Sequence, residues 1–125
     1  MRRIPDSILA EMAGSLSDHD RDEMAIPSYR HSNPVMRWMA WRRVEVVASR
    51  LRALVEAQGR VRTLVDFGCG TGVLFEEGRG AADRIIGVDL TLEPARTLAD
   101  RWGIDVELMS PAEANERIEP GSIDI

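Results

Sequence analysis

The residues best suited to chemistry form a glycine-rich segment, D-F-G-C-G-T-G at positions 66–72, followed further along the chain by Asp89. Glycines allow a backbone to turn sharply and to approach a ligand closely. A helix that starts after such a turn points its free N–H groups and its positive dipole end into the same space. Asp89 ends the next predicted strand, 21 residues after Gly68, where a carboxylate can accept hydrogen bonds from both hydroxyls of a ribose. The pattern therefore predicts a crevice for a nucleoside.

The spacing of the glycines narrows the kind of nucleoside. A dinucleotide-binding fingerprint, Gly-x-Gly-x-x-Gly, would need glycine where the chain has Val73 or Phe75, so a nicotinamide-dependent dehydrogenase is the weaker enzyme alternative. The segment 66–72 instead resembles the first motif of the class I S-adenosylmethionine-dependent methyltransferases, and I-G-V-D at 86–89 resembles their second motif. Residues 113–124 are similar to the region that leads into their fourth strand. The resemblance covers roughly the second half of the chain.

This resemblance implies a fold, a cofactor and a set of contacts. The fold is α/β, with a Rossmann-like, doubly wound and mostly parallel sheet preceded by N-terminal helices. The cofactor is S-adenosyl-L-methionine, and the reaction is methyl transfer to an acceptor, for which a small molecule is preferred. The residues implied to bind the cofactor are Asp66, Gly68, Cys69, Gly70, Gly72, Asp89, Leu90 and Glu113.

The family also implies a role for each contact. The backbone of residues 68–70 would pass beneath the methionine end of the cofactor, and Asp66 would order this loop and hold the ammonium group, directly or through water. Asp89 would bind the ribose hydroxyls, and Leu90 would pack on the adenine face. An acid after the third strand often accepts from the adenine amino group in this family. Here that stretch is S-P-A-E at 110–113, with proline in the usual place of the acid, so its glutamate is the substitute.

Three of these residues have a plainer alternative. Asp66 could cap the following helix, and Asp89 could be a solvated strand end. Cys69 could be taken for a nucleophile, but no His is nearby in sequence to activate it, and a small side chain whose backbone matters is expected. No catalytic base is assigned, because acceptor contacts in the family commonly follow the fourth strand.

Apolar periodicity and turn residues predict the elements that position the site. Strands that alternate with helices at this spacing predict parallel βαβ units. The chain divides into an N-terminal helical segment, 1–59, and a partial S-adenosylmethionine-binding methyltransferase domain, 60–125. The predicted elements are a helix at 34–58, strands at 61–67, 84–89 and 104–109, helices at 71–77, 93–102 and 111–117, and a fourth strand beginning at Ile123.

The helix at 34–58 has clear start signals, since Asn33 is a good N-cap and Pro34 suits the first helical position. Its predicted apolar stripe consists of Met36, Ala40, Val44, Val47, Leu51, Leu54 and Val55. Trp38 lies roughly opposite this stripe and Trp41 lies on its flank. The two indoles must therefore pack on something else or form an exposed apolar patch.

The N-terminal 33 residues are polar, with a short predicted helix around residues 8–12 and a charged connector at 17–22. His19 lies among acids, but nothing fixes a coordination geometry, so no metal site is predicted. In the family, such N-terminal segments often cover the cofactor or shape the acceptor pocket. A structural role is nevertheless favoured for Tyr29, His31 and Arg37.

Composition excludes several kinds of site. All sixteen basic residues are arginine, which excludes lysine Schiff-base chemistry and a phosphate-loop lysine. A single cysteine excludes an internal disulfide and a multi-cysteine zinc site. No apolar run approaches ~18 residues, and no apolar region follows the N-terminal M-R-R-I-P. Neither a membrane span nor a secretory signal is predicted, and the cytoplasm is the expected location.

Two other functions stay open beside methyl transfer. A chain that stops at the opening of a fourth strand cannot complete the family's seven-stranded sheet. It could be a non-catalytic truncated fragment or a binding module, whose open sheet edge a partner or a missing C-terminal half would cover. Residues 30–62 hold 8 Arg and 2 acids and could follow phosphates, but their arginines spread around the helix. Nucleic-acid binding is therefore not favoured.

Overall fold

A computed structural model describes residues 1–23 and 25–125. Within these residues it is a mixed α/β structure with a three-stranded parallel sheet and helices. The helices are α1 (Asp6–Ser15), α2 (Asp18–Glu23), α3 (Ile26–Tyr29), α4 (Pro34–Gln58), α5 (Phe75–Ala81), α6 (Glu93–Trp102) and α7 (Pro111–Arg117). The strands are β1 (Val61–Phe67), β2 (Ala82–Val88) and β3 (Glu107–Met109). No helix in the described part of the chain is both long and apolar enough to cross a membrane.

The sheet places the C-terminal ends of its strands side by side. β2 pairs in parallel with β1 and β3, with Gly87 opposite Asp66 and Val88 opposite Met109. The last two residues of the chain run along β1: the Asp124 N–H donates to the Thr63 carbonyl at 3.1 Å, and the Val65 N–H donates to the Ile125 carbonyl at 2.8 Å. The structure has no strand at the position where a fourth strand was predicted to begin at Ile123, but these bonds bring the end of the chain alongside β1. The chain thus reaches the opposite edge of β1 from β2.

Both faces of the sheet are covered, because neighbouring residues of a strand point to opposite faces. On one face, Leu64 and Ile85 belong to a core shared with α1, α3, α4, α5 and α6. On the other face, Val65 and Ile86 pack with Ala114 of α7. Buried residues of the N-terminal helices belong to the first core, so residues 1–59 fold onto the strands rather than apart from them.

Ion pairs also join the N-terminal segment to the rest of the chain. The Met1 ammonium lies 3.5 Å from Glu77 Oε1, and Arg101 Nη2 donates to Glu11 Oε1 at 2.9 Å.

The prediction of a charged connector at 17–22 is wrong, since α2 lies there. The side chain of Ser17 caps this helix, because its Oγ accepts a hydrogen bond from the Asp20 N–H at 3.1 Å. The acids in the first turn also stabilise the helix, because their negative charges lie at the positive end of the helix dipole.

The bounds of α4 are as predicted, and so is most of its buried face, since Ala40, Val44, Leu51 and Val55 of the predicted stripe pack against the core. Asn33 Oδ1 accepts from the Val35 N–H at 2.9 Å, and Gly59 ends the helix with a φ of 83°. The buried residues of α4 are Trp41 and Ala48. Met36 and Val47, from the predicted stripe, are about half exposed. The ring of Trp41, which was predicted on the flank of the stripe, stacks on Tyr29 with centroids 4.5 Å apart.

Differences in the other elements follow from the glycine turn. Gly72 has a φ of 73°, which a helix does not allow, so α5 begins only at Phe75 instead of residue 71. The helix then includes both Gly78 and Gly80.

The bounds of two strands also differ from the prediction. β2 begins and ends slightly earlier than predicted, and β3 is limited to three residues. The ranges predicted for β1, α6 and α7 match those observed.

Replacing Gly87 with alanine is expected to lower the free energy of unfolding by about 1–3 kcal/mol. An added Cβ would lie 2.8 Å from both Leu108 Cδ2 and Phe75 Cζ, so the core between β2 and α5 must move. Urea unfolding measures the loss. The matched control is Gly80→Ala in α5, where nothing lies within 4 Å of an added Cβ. Equal stabilities of the two variants would contradict this explanation.

Candidate nucleoside-binding site

The glycine-rich turn lies over the C-terminal end of β2. Gly68, Gly70 and Gly72 have φ values of 80°, 53° and 73°, a region that side chains with a Cβ rarely adopt. The N–H groups of Gly68 and Cys69 both donate to the Val88 carbonyl, at 2.7 and 3.1 Å. The turn is therefore fixed to the neighbouring strand before any ligand is present.

Asp89 holds the same turn from the end of β2. Its Oδ2 accepts from the Gly70 N–H at 2.8 Å, and its Oδ1 accepts from the Leu90 and Thr91 N–H groups at 2.8 and 3.3 Å. A carboxylate offers about four acceptor positions, so roughly one position, on Oδ2, stays open. The prediction that Asp89 accepts from two ribose hydroxyls therefore requires a backbone N–H to leave. Asp89 is bonded rather than simply solvated.

Asp66, one residue before the end of β1, is a partly buried acid. Burial raises the pKa of its carboxyl to about 6, and the negative charge of Asp89 adds to this effect. Among the described residues, none donates a hydrogen bond to this carboxylate or forms an ion pair with it. It does not cap α5, whose N-cap is Leu74. A cation brought into this space would relieve the cost of ionising Asp66.

Asp66 lines an apolar cavity. It has a volume of about 410 Å³ and lies between α4 and β1. Apart from Asp66 and Arg50, its lining is apolar: Val47, Leu51, Leu54, Leu64, Val65, Leu74, Phe75 and Ile125. Of the residues predicted to bind the cofactor, only Asp66 lines this cavity.

Tyr29 connects the N-terminal helices to the glycine turn. It is buried, and burial raises the pKa of its phenol; its hydroxyl also interacts with the side chain of Thr71, and the charge of Asp66 is near enough to act on it. His31 and Arg37 are exposed and lie at the start of α4. There, His31 Nδ1 accepts a hydrogen bond from the Asn33 N–H at 3.0 Å. The sequence named Tyr29 as structural, but nothing in it indicated contact with Thr71.

The remaining predicted contacts differ in accessibility. Leu90 is 85% exposed beside the turn, and Phe67 at the end of β1 is 73% exposed, although the sequence predicted a buried strand there. Glu113 caps α7: its Oε2 accepts from the Ser110 N–H at 2.7 Å, and this bond lowers the pKa of the Glu113 carboxyl. Leu90 and Phe67 are thus free to meet a flat apolar ligand, whereas Glu113 is partly engaged.

Cys69 is expected to resist alkylation in the folded protein. Burial, and then the charges of Asp66 and Asp89, raise the pKa of its thiol to about 12. The reactive thiolate is therefore almost absent at mildly alkaline pH, and the sulfur is buried. Mass spectrometry after treatment with iodoacetamide should show an unmodified native chain and a modified chain in urea. Rapid modification of the native chain would instead indicate an activated cysteine.

Comparisons with known proteins identify no relative: no family model, no curated protein and no solved structure matches this chain. Among the described residues, no group of three or more His, Cys, Asp or Glu side chains is placed to hold a metal ion. The geometry around the glycine turn is therefore the basis for any functional assignment.

Proposed function

We propose that this chain binds S-adenosyl-L-methionine at the C-terminal ends of β1 and β2 and belongs to the class I methyltransferases. The observation that carries the proposal is the position of Asp66 and Asp89 at the C-terminal ends of two adjacent strands, around a turn of three glycines with positive φ. In a Rossmann-like, doubly wound sheet, ligands bind where the strand order reverses. The arrangement supports such a position at β1, with β2 on one edge and residues 124–125 on the other.

The residues present fit the charge and shape of this cofactor. Asp66 is a partly buried acid that forms no ion pair within the described part of the chain, and the ammonium of the methionine end would supply the positive charge. The backbone of residues 68–70 would support that end. Asp89 accepts from a ribose hydroxyl through the open position of Oδ2, while Leu90 packs on the adenine. Glu113 keeps the proposed adenine contact through the oxygen that does not cap α7.

When bound, S-adenosylmethionine supplies an electrophilic methyl group on a positively charged sulfur. The task of this chain is then to fix that group, to orient it and to exclude water from it. Asp66 and the glycine turn fix the methionine end, and Tyr29 supports the turn through Thr71. No side chain is assigned as a base, which is needed only when the acceptor holds its proton. We propose a small molecule as the acceptor.

Thermal melting followed by circular dichroism tests the cofactor assignment. S-adenosylmethionine at ~100 times its dissociation constant should stabilise the fold by about 2.7 kcal/mol, and the melting temperature should rise with concentration. The same concentration of NAD⁺ should have no effect, because Val73 stands where a dinucleotide site needs glycine. A melting temperature raised by NAD⁺ and not by S-adenosylmethionine would replace the proposed function with dinucleotide binding.

A further inference from the structure

The outward face of α4 carries large apolar side chains that are about half exposed. At about 100° per residue, Val35, Trp38, Met39 and Val46 share the side of the helix that faces away from Ala40, Val44 and Leu51, which pack against the core. Trp38 is 58% exposed, and the other three are between 43% and 59% exposed. We call these four residues, with Arg42 and Arg43, the α4 outer face. It is a contiguous apolar patch of the kind that marks an interaction site.

Two of the five arginines of α4 lie within this apolar face, and the other three lie outside it. Arg42 and Arg43 line a shallow groove of about 410 Å³ together with Trp38, Met39 and Val46. The surrounding segment, 30–62, holds 8 Arg and 2 acids in a chain whose net charge is −5. The acidic excess lies in residues 61–125, with 13 acids and 6 Arg. The α4 outer face is therefore apolar and carries two arginines, of which Arg42 lies 3.8 Å from Glu45, on a protein whose net charge is negative.

We propose that the α4 outer face binds the surface of a membrane containing anionic lipids. An indole prefers the boundary between head groups and acyl chains, and arginine can bury its alkyl stem while its guanidinium reaches a phosphate. A helix with both on one face lies in the plane of that boundary. Charge complementarity selects anionic lipids, since the positive face meets the membrane and the acidic half of the chain does not.

Two features favour a membrane over nucleic acid as the occupant. Phosphates along a nucleic acid would need a basic stripe, but the arginines of α4 alternate with Trp38, Met39 and Val46 on this face. In a complex with nucleic acid, these apolar side chains would lie against the charged sugar-phosphate backbone. A lipid surface instead accepts both the apolar side chains and the guanidinium groups.

Vesicle flotation with the full chain tests the proposal. We expect binding to vesicles made of equal parts phosphatidylcholine and phosphatidylglycerol, and at least about tenfold weaker binding to phosphatidylcholine alone. Tryptophan fluorescence reports the contact directly, because Trp38 is exposed whereas Trp41 and Trp102 are buried. Its emission should shift to shorter wavelength on the anionic vesicles. High salt should reverse the binding in part.

Two double variants separate the apolar and charged contributions. Trp38→Ser with Met39→Ser, and Arg42→Gln with Arg43→Gln, should each weaken binding about tenfold or more while far-ultraviolet circular dichroism stays unchanged. The matched control is Arg96→Gln with Arg117→Gln, which removes the same charge from exposed positions elsewhere and should bind like the parent chain.

Several results would overturn the proposal. These are the absence of flotation with folded protein, equal binding to both vesicle types, or equal losses in the variants and in their control. Sedimentation equilibrium without lipid gives a further decisive result. A dimer that the α4 variants dissociate would assign this face to a second copy of the chain instead. None of these outcomes depends on S-adenosylmethionine, so this proposal and the proposed function fail separately.

Discussion

Asp89→Ala is expected to lower the affinity for S-adenosylmethionine by about 100-fold or more. The variant loses the acceptor for the ribose and also releases the N–H groups of Gly70, Leu90 and Thr91. A hydrogen bond to a charged group contributes roughly 1.5–3 kcal/mol, and about 1.4 kcal/mol corresponds to a factor of ten. Equilibrium dialysis with labelled S-adenosylmethionine measures the change.

Two further variants distinguish binding from folding in this experiment. Asp89→Asn keeps one acceptor oxygen, so it should retain the turn better and lose less affinity than Asp89→Ala. Asp105→Ala removes an exposed acid before β3, at the opposite end of the sheet, and should bind like the parent chain. If Asp89→Ala stays folded and binds as tightly as the parent, Asp89 does not hold the ribose.

Asp66→Asn is expected to stabilise the protein without ligand at neutral and alkaline pH. Because burial raises the pKa of Asp66 to about 6 from its ordinary value of 3.8, the folded state holds this proton more tightly than the unfolded state does. Its contribution to stability is therefore full below about pH 4 and is lost as the pH rises past about 6. At about pH 8 the parent chain should be less stable than the variant by roughly 2–3 kcal/mol. At about pH 4 the two should be equally stable.

The same substitution should weaken cofactor binding by about tenfold or more, because an amide does not pair with an ammonium group as a carboxylate does. Urea unfolding across the pH range gives the stability difference, and titration with S-adenosylmethionine gives the affinity. Asp105→Asn is the matched control and should change neither quantity. A variant that is more stable but binds unchanged would separate Asp66 from the cofactor. A variant no more stable at about pH 8 would contradict the raised pKa.

Local sequence signals predicted most of the elements that position the site. α4 was bounded by the Asn33 cap and by Gly59, and α6 ended at Gly103, which adopts the left-handed conformation. β1 was marked by a run of apolar and β-branched residues. Such signals depend on neighbours in the chain, so the positions of Asp66 and Asp89 at the ends of adjacent strands could be inferred before the structure.

The full buried face of α4 and the bonding of Asp89 depend on tertiary contacts and could not be predicted in this way. Periodicity placed Met36 and Val47 inside with the rest of the stripe, but both are about half exposed. Trp41, predicted on the flank, is buried and stacks on Tyr29. The hydrogen bond from the Gly70 N–H to Asp89 joins residues that lie far apart in the sequence, and no local sequence pattern predicts it. The pairing of Tyr29 with Thr71 has the same origin.

Isothermal titration calorimetry with S-adenosylmethionine is the most direct test of the cofactor site. Circular dichroism first establishes that the parent chain is folded. At two temperatures, this chain is then titrated with S-adenosylmethionine, and it should bind one molecule with measurable heat at one temperature at least. Titration with NAD⁺ should give no heat of binding. Two temperatures are needed because the enthalpy of binding can pass through zero at one of them. A folded chain that releases or absorbs no heat with S-adenosylmethionine at either temperature would contradict the account.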